Sequence, residues 1–571
     1  MGIKNWVSRP AMTGALAPAA GALSLILSCL LVSPKKPFWN DELYSWYFVA
    51  DPSFSHMWAA YNDAINNTPI VYFATGWLWS SIFGASELSL RLFSCLGFIA
   101  ALVLVWRILS NAYGYWPAAI GTLLVFTTSD LVIEQSAEAR MYGLFTAVCA
   151  AAAFQYQKLM VTPDVSRRQL VGVALVHALI VNTHLFGPFY SLAILAALVI
   201  ADRMHQRRRW PLYGAVLLGQ ASFLAYLPAF WRQAQAGTPR AWMPVPRVQD
   251  FLDTVSLSSP TFVNVAFVSA LILILLLVQL LGWRAGPHSG QRSESEIHRY
   301  QSGLIVLAIA LMAVPVVTWL FSRTIKPIFF ARYLIPTLIS YSIVLAHIVY
   351  GLTADSGVPA GRSFVRHMLP RLMLGGLLFA AILAPPRHAL VQPQRVAVWA
   401  ADKVFGYGDL PVAVQSSGGF LERYHYAADR DRYYFVLDEQ AATKVESGVF
   451  GLQEYKHMGA FRREYPDSVG RQILPSPDFL ARFDRFLALE LDPYTAVCPA
   501  RVVGLEHART WTDMQCSQWL ETRILNNPLY NVTLLGTKWG MSFLLVERRA
   551  RAVAAAPRVA VNERERDARQ R

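Results

Sequence analysis

The chain has 571 residues, 54% of them hydrophobic and only 15% charged, with a formal net charge of +14. Soluble domains carry about a quarter charged residues, so this composition, with a mean hydropathy of +0.34, excludes an ordinary soluble protein and points to a polytopic membrane protein. The basic residues lie mostly in short loops between apolar runs, where they read as topology and lipid contact rather than nucleic-acid binding.

Lys4 and Arg9 precede the first apolar run, 14–32. The run resembles a signal peptide, but the many later runs favour an uncleaved helix that starts in the cytoplasm. Next comes FWNDELYSWY, which sets Asp41 beside Glu42 among Trp39, Tyr44, Trp46 and Tyr47. The segment 69–84, PIVYFATGWLWSSIFG, is short and aromatic, as suits a helix lying in the membrane interface. That leaves an unusually long first outer loop, 34–87.

Further apolar runs follow at 88–109, 116–133, 142–160, 169–183, 186–201, 211–230, 262–283, 301–321, 332–350 and 369–385. The expectation is about 11 spans. Basic residues test the alternation. Arg107, then Lys158 with Arg167 and Arg168, then Arg203 with 207–209, then Arg284, Arg292 and Arg299, then Arg362, Arg366 and Arg371 all fall at inner ends. An odd number of spans places the remainder of the chain outside.

That remainder differs in kind. Strand-like LPVAVQ, RYYFVLD and YNVTLLGT alternate with helix-like DFLARFDRFLAL. We expect a transmembrane domain over 1–385, an extracytoplasmic α/β domain over 386–549, and a disordered basic tail over 550–571. Cys29, Cys95 and Cys149 sit in apolar runs as packing residues. Cys498 and Cys516 are a disulfide candidate in an oxidising compartment.

Charged residues gather at the expected outer ends of the spans. Asp41 and Glu42 form one group; Glu134, Glu138, Arg140 and Tyr142 another; His184 a third; Arg323, Lys326, Arg332 and Tyr333 a fourth. Each alone has an ordinary structural explanation: helix capping by Asp41 and Glu42, a Glu138–Arg140 ion pair, a loop histidine, a snorkelling arginine. Together they suit one chemistry. A carboxylate takes a proton from a hydroxyl, cations hold a phosphate leaving group, and apolar helix faces hold a lipid tail.

The acidic pair in NDELYSWY, the segment NTPIVYFATGWLWSSIFGASELSLRLFS, EQSAEARMY, THLFG, AWMPVPRVQDFL and KPIFFARYLIP resemble, in this order, the GT-C glycosyltransferases, specifically the protein O-mannosyltransferase superfamily. The resemblance covers about residues 15–350 and leans to the bacterial, polyprenyl-phosphate-dependent type, related to the aminoarabinose lipid A transferases. It implies an all-α GT-C transmembrane module and a hexosyl or pentosyl transferase acting with inversion. It implies a catalytic role for Asp41 as base, with Glu42 and Glu138 beside it. Arg140, Lys326, Arg332 and Tyr333 would bind the donor phosphate, and His184 and Tyr142 would orient substrate. The lipid A enzymes often carry a lysine where this chain has Thr68, a departure that leaves the sugar open.

The implied partners are a polyprenyl-phosphate sugar donor, an extracytoplasmic acceptor and membrane lipids. The implied location is the bacterial inner membrane, with the site and the C-terminal domain on the periplasmic side. No cofactor is expected, although a divalent metal serves oligosaccharyltransferase relatives and Asp and Glu from two loops could bind one. The alternatives are a transporter or flippase, against which stand the charges at one face and the lack of an internal repeat, and a non-enzymatic scaffold.

Overall fold

In the computed structural model the first apolar run folds as α1, Leu16–Val32, and stops in a turn at Ser33–Lys35 that contains Pro34. The structure describes residues 15–162, 164–236, 245–255, 294–354, 364–395, 397–443, 449–491, 519–525, 527–538 and 541–549. Two compact units divide the chain, Met1–Ala397 and Val398–Arg571.

In the first unit the long loop is helical. It contains α2 (Asn40–Val49), α3 (Phe54–Tyr61) and α4 (Val71–Phe83). Ser53 caps α3 by accepting from the His56 N–H at 3.3 Å. With 13 residues, α4 is about 20 Å long, too short for a hydrocarbon core of about 30 Å. Leu78, Ile82 and Phe83 on it are exposed.

The helix α5 (Glu87–Tyr113) is capped by Ser86 and ends at Gly114, whose φ of 82° suits glycine. After it come α6 (Tyr115–Thr128) and α7 (Asp130–Ser136), bent 66° apart. Ser129 caps the second of the pair and so makes the break. Then follow α8 (Tyr142–Val161), α9 (Arg167–Thr183), α10 (Gly187–Met204), α11 (Trp210–Ala221), α12 (Leu227–Ala236), α13 (Val248–Val255), α14 (Glu294–Thr324), α15 (Leu338–Ala354) and α16 (Phe364–Val391). A 3-10 segment, Ala331–Thr337, leads into α15.

Among the described residues seven helices are long and apolar enough to cross a membrane, or eight if the bent pair counts as one span. Apart from the expected span over 262–283, which lies outside the described residues, each expected run is helical. α9, with 17 residues, is short for a full crossing.

Two contacts fix the helices that matter for function. A Cβ on Gly97 would lie 2.3 Å from the Gly143 carbonyl carbon, so α5 and α8 touch backbone to backbone, as small residues permit in membranes. At the far end of α8, Arg209 Nη1 donates to the carbonyls of Leu159 and Thr162 at 2.8 and 3.2 Å, while its Nε and Nη2 grip Asp202. Tyr213 donates to the same carboxylate at 2.7 Å. The 20 residues of α8 span about 30 Å, one hydrocarbon thickness, between this polar cluster and the one around Arg140.

The second unit is an α/β domain. Its elements are β1 (Val412–Val414), α17 (Ser417–Tyr426), β2 (Tyr433–Leu437), α18 (Glu439–Ala442), α19 (Val449–Glu464), β3 (Ile473–Pro475), α20 (Ser476–Arg482), β4 (Arg485–Leu491), β5 (Tyr530–Lys538) and β6 (Met541–Arg548). The sheet order is β3-β2-β1-β4-β6-β5, parallel up to β4 and antiparallel beyond it. One sequence expectation is corrected here. DFLARFDRFLAL is helical only to Arg482, and its second half is the central strand β4. Phe486, Leu487, Ala488 and Leu489 are all fully buried, so both strand faces are apolar and the alternation that marks a strand is missing. Cys498, Cys516 and the tail 550–571 lie outside the described residues.

Candidate active site

The turn after α1 lets α2 begin at Asn40, which puts Asp41 and Glu42 in its first turn, where carboxylates are favoured. The two side chains then diverge. Glu42 is fully buried and saturated. Arg91 Nε donates to its Oε1 at 2.9 Å and Arg91 Nη2 to its Oε2 at 2.8 Å. The Ala139 N–H adds a bond to Oε1 at 2.7 Å and the Trp39 N–H one to Oε2 at 3.3 Å. Arg91 also donates to the carbonyls of Ser33, Lys36 and Pro37. Glu42, read from the sequence as catalytic, therefore has no lone pair left for substrate, and its geometry is that of a latch joining α2, α5 and the loop before α8.

Asp41 is the accessible carboxylate, with its side chain 23% exposed. Arg332 Nη2 donates to Asp41 Oδ2 at 3.0 Å. Arg140 Nη2 stands 3.8 Å from the same oxygen, while Arg140 Nη1 donates to the Asp41 carbonyl at 2.7 Å and to Ser45 Oγ at 2.9 Å. Arg140 is held by Ser94 on α5, whose hydroxyl donates to its carbonyl at 2.9 Å and accepts from its N–H at 3.1 Å. The Gly97–Gly143 contact lies directly beneath. Arg332 is held from the other side, since the Tyr190 hydroxyl on α10 bonds the Leu334 carbonyl at 3.0 Å and Thr337 Oγ1 at 2.7 Å.

An aromatic wall closes round Arg332. Its guanidinium lies 4.9 Å from the Phe330 ring, 5.6 Å from Trp39 and 5.9 Å from Tyr142. Tyr333 stacks on Tyr142 at 6.3 Å and contacts His184 at 5.0 Å. His184 Nδ1 accepts the Phe186 N–H at 3.1 Å, which puts the ring proton on Nε2. Burial, with Arg140 and Arg332 nearby, lowers the His184 pKa to about 3, so the ring is neutral.

Glu138 Oε2 is enclosed without a hydrogen-bond partner. Burial, followed by the charges of Glu42 and Asp41, raises its pKa to about 7 against the pull of Arg332 and Arg140. Trp39 Nε1, Arg140 Nε, Tyr142 OH and Arg332 Nε are likewise enclosed and unpartnered. Four donors and one carboxyl oxygen of this cluster are thus enclosed without a hydrogen-bond partner.

The structure brings Asp41, Glu42, Glu138, Arg140, Tyr142, His184, Arg332 and Tyr333 together. It leaves Lys326 apart, exposed beyond the end of α14 and joined to the cluster by no hydrogen bond or ion pair. Sequence reasoning missed Arg91, Trp39, Ser45 and Ser94. Arg91 carried a signal, an ionisable residue at the head of an apolar run. Among the described residues no three His, Cys, Asp or Glu side chains converge as metal ligands would.

A helical membrane module with this polar cluster at one end of its helices, joined to an α/β domain, has the GT-C fold. Two crystal structures of ArnT from Cupriavidus metallidurans share it. The one bound to undecaprenyl phosphate aligns with a TM-score of 0.51 and 13% identity over 95% of this chain and 98% of that one. The apo form aligns with 0.52 and 12% identity over 94% and 98%. Residues 67–228 match the sequence model of the dolichyl-phosphate-mannose-protein mannosyltransferase family. The chain therefore shares the GT-C fold of these structures, and its family match spans less than a third of its 571 residues. No curated protein sequence matches it.

Proposed function

We propose that the protein is a membrane glycosyltransferase that moves a sugar from a polyprenyl-phosphate donor to a hydroxyl of an extracytoplasmic acceptor, with inversion. The observation that carries this is the Asp41 carboxylate held between Arg140 and Arg332 beside enclosed, unpartnered donors. The likeness to a protein crystallised with undecaprenyl phosphate supports the donor class.

In the empty site Asp41 is the counter-ion of both arginines. An incoming phosphodiester competes for those guanidiniums, which suit phosphate geometry, and frees Asp41 to accept a proton. The acceptor oxygen attacks the anomeric carbon as its proton passes to Asp41. The bond from that carbon to the phosphate oxygen breaks, and polyprenyl phosphate leaves with the electron pair. Arg140 and Arg332 stabilise the charge it gains. Trp39 Nε1, the Tyr142 hydroxyl and Glu138 bind the sugar hydroxyls, and neutral His184 orders the aromatic wall. In this reading the site faces the outside of a bacterial inner membrane, since the basic residues of Arg203 and 207–209 mark the opposite end of α8.

The test supplies purified protein and an Asp41→Asn variant with a panel of polyprenyl-phosphate sugars and a membrane extract as acceptor. Release of free polyprenyl phosphate is followed by mass spectrometry. Donor-specific release by the wild type, lost in a variant that still binds donor, is the expected result. Equal release by both, or none with any donor, overturns the reading.

A further inference from the structure

The second unit holds polar groups that the Asp41 site does not use. Its parallel strands run β3-β2-β1-β4, so the chain moves from β1 to one side and later returns on the other. In such sheets the carboxyl ends of the two strands at the reversal open a crevice where ligands bind. Here those ends carry Gln415, just past β1, and Glu490 in β4, and the Gln415 N–H donates to the Leu489 carbonyl at 3.4 Å.

Gln415 is 5% exposed. Its Oε1 accepts from the Tyr455 hydroxyl at 2.7 Å, and its Nε2 has no partner. A buried amide donor is costly to leave unmade. Beside it α17 opens. Ser416 Oγ accepts from the Gly419 N–H at 3.2 Å, and Glu454 Oε2 accepts from the Ser417 N–H at 3.2 Å. Glu454 and Tyr455 are consecutive residues of α19, so one helix supports both sides of the turn.

Charge decides the ligand class. A helix N-terminus ordinarily attracts an anion, but the Glu454 carboxyl already occupies this one. The nearby Arg423 is committed to Asp402 at 2.6 and 2.9 Å and to the Gly419 carbonyl at 3.0 Å. A phosphate finds no free cation there among the described residues. Burial raises the Glu454 pKa to about 7, so near neutrality it both donates and accepts. Sugar hydroxyls match that pairing of amide donor and carboxyl.

We propose that the crevice at the carboxyl ends of β1 and β4 binds a neutral glycosyl unit, with Gln415 Nε2 donating to one hydroxyl and Glu454 bonding a second. The choice of a sugar among polyols rests on the glycosyl-transfer reading; the site itself does not.

The test uses the full chain in lipid nanodiscs and saturation-transfer NMR with a panel of methyl hexopyranosides and pentopyranosides. At least one is expected to bind the wild type and Asp41→Asn alike, and to bind Gln415→Met at least tenfold more weakly. Methionine fills the same volume and removes the unpaired amide, but also the Oε1 that accepts from Tyr455. The melting midpoint of this variant is therefore measured alongside, and binding is compared only at temperatures where it is fully folded. Glu454→Gln, which keeps shape and hydrogen bonding to Ser417, should weaken binding less. Displacement by the same sugar carried on a lipid in the nanodisc assigns the site to lipid-borne sugar; failure of displacement assigns it to free glycans, and either upholds it. Absence of binding by every glycoside overturns the proposal. So does binding that survives Gln415→Met and disappears in Asp41→Asn, which would place the sugar in the first unit.

Discussion

Arg332 reaches Asp41 across 291 positions of sequence and donates to its Oδ2 at 3.0 Å, the same oxygen that Arg140 approaches to 3.8 Å. One carboxylate is thus shared by two guanidiniums from loops that precede different helices. The trio carries one positive charge in excess, and an anion entering the site competes with Asp41 for both guanidiniums.

The first expectation concerns that exchange. Arg332→Ala should lower the rate of polyprenyl phosphate release by about 10²–10³, the usual loss for one transition-state donor. Arg332→Lys keeps the charge but not the planar fork and should fall between. A rate within twofold of wild type in Arg332→Ala would remove Arg332 from phosphate binding.

The Glu42–Arg91 latch makes a separate claim about stability. Removing one member of a buried pair leaves the other uncompensated, at a cost of about 3–5 kcal/mol. Arg91→Met should therefore lower the unfolding midpoint sharply. The double variant Glu42→Gln with Arg91→Met should recover part of it, because glutamine can still accept from the Ala139 N–H. Thermal unfolding in detergent measures both, and an Arg91→Met variant as stable as wild type would show that the latch is not holding α2.

Glu138 predicts a pH dependence. Its folded pKa of about 7 exceeds its ordinary value of about 4.3. The folded state therefore holds a proton that the unfolded chain releases, and stability falls as pH rises from about 4.3 through 7, then levels off. Donor binding follows the same sign. With Glu138 protonated, Asp41, Arg140 and Arg332 sum to one positive charge; with it ionised they sum to zero with Glu138. Donor affinity should drop on the order of tenfold, or about 1.4 kcal/mol, as pH rises through 7. Glu138→Gln should abolish that inflection. Isothermal titration with a non-hydrolysable donor at several pH values decides it.

Gly97 tests how the scaffold serves the site. An alanine there would bring its Cβ to 2.3 Å from the Gly143 carbonyl carbon, which forces α5 and α8 apart and shifts Ser94 away from Arg140. Overpacking of this kind costs about 1–3 kcal/mol, and activity should fall further than stability does. Gly172→Ala, whose Cβ would meet only Gln155 at 3.7 Å, is the control and should behave as wild type in both assays.

Much of this arrangement was legible in the chain because membrane helices announce themselves by length. The acidic pair, EQSAEARMY and the Arg332 segment were readable as a group since charges at the ends of apolar runs are few. What the sequence did not resolve is which carboxylate does what. Asp41 and Glu42 are neighbours in the same first turn of α2, and only packing sends one to Arg91 and the other to Arg332. Lys326 shows the same limit from the other side: it lies six residues from Arg332, and only the structure tells that it is exposed beyond the end of α14. The β4 strand was hidden by burial on both faces, which leaves composition alike for strand and helix.

The distance along the chain between Asp41 and Arg332 has a consequence for biosynthesis. A ribosome delivers Asp41, Glu42 and Arg91 into the bilayer long before it reaches Arg332. Until then the nascent protein has an acidic residue with only half of its eventual counter-charge. The pair of guanidiniums around Asp41 is thus complete only once the segment leading into α15 has been made.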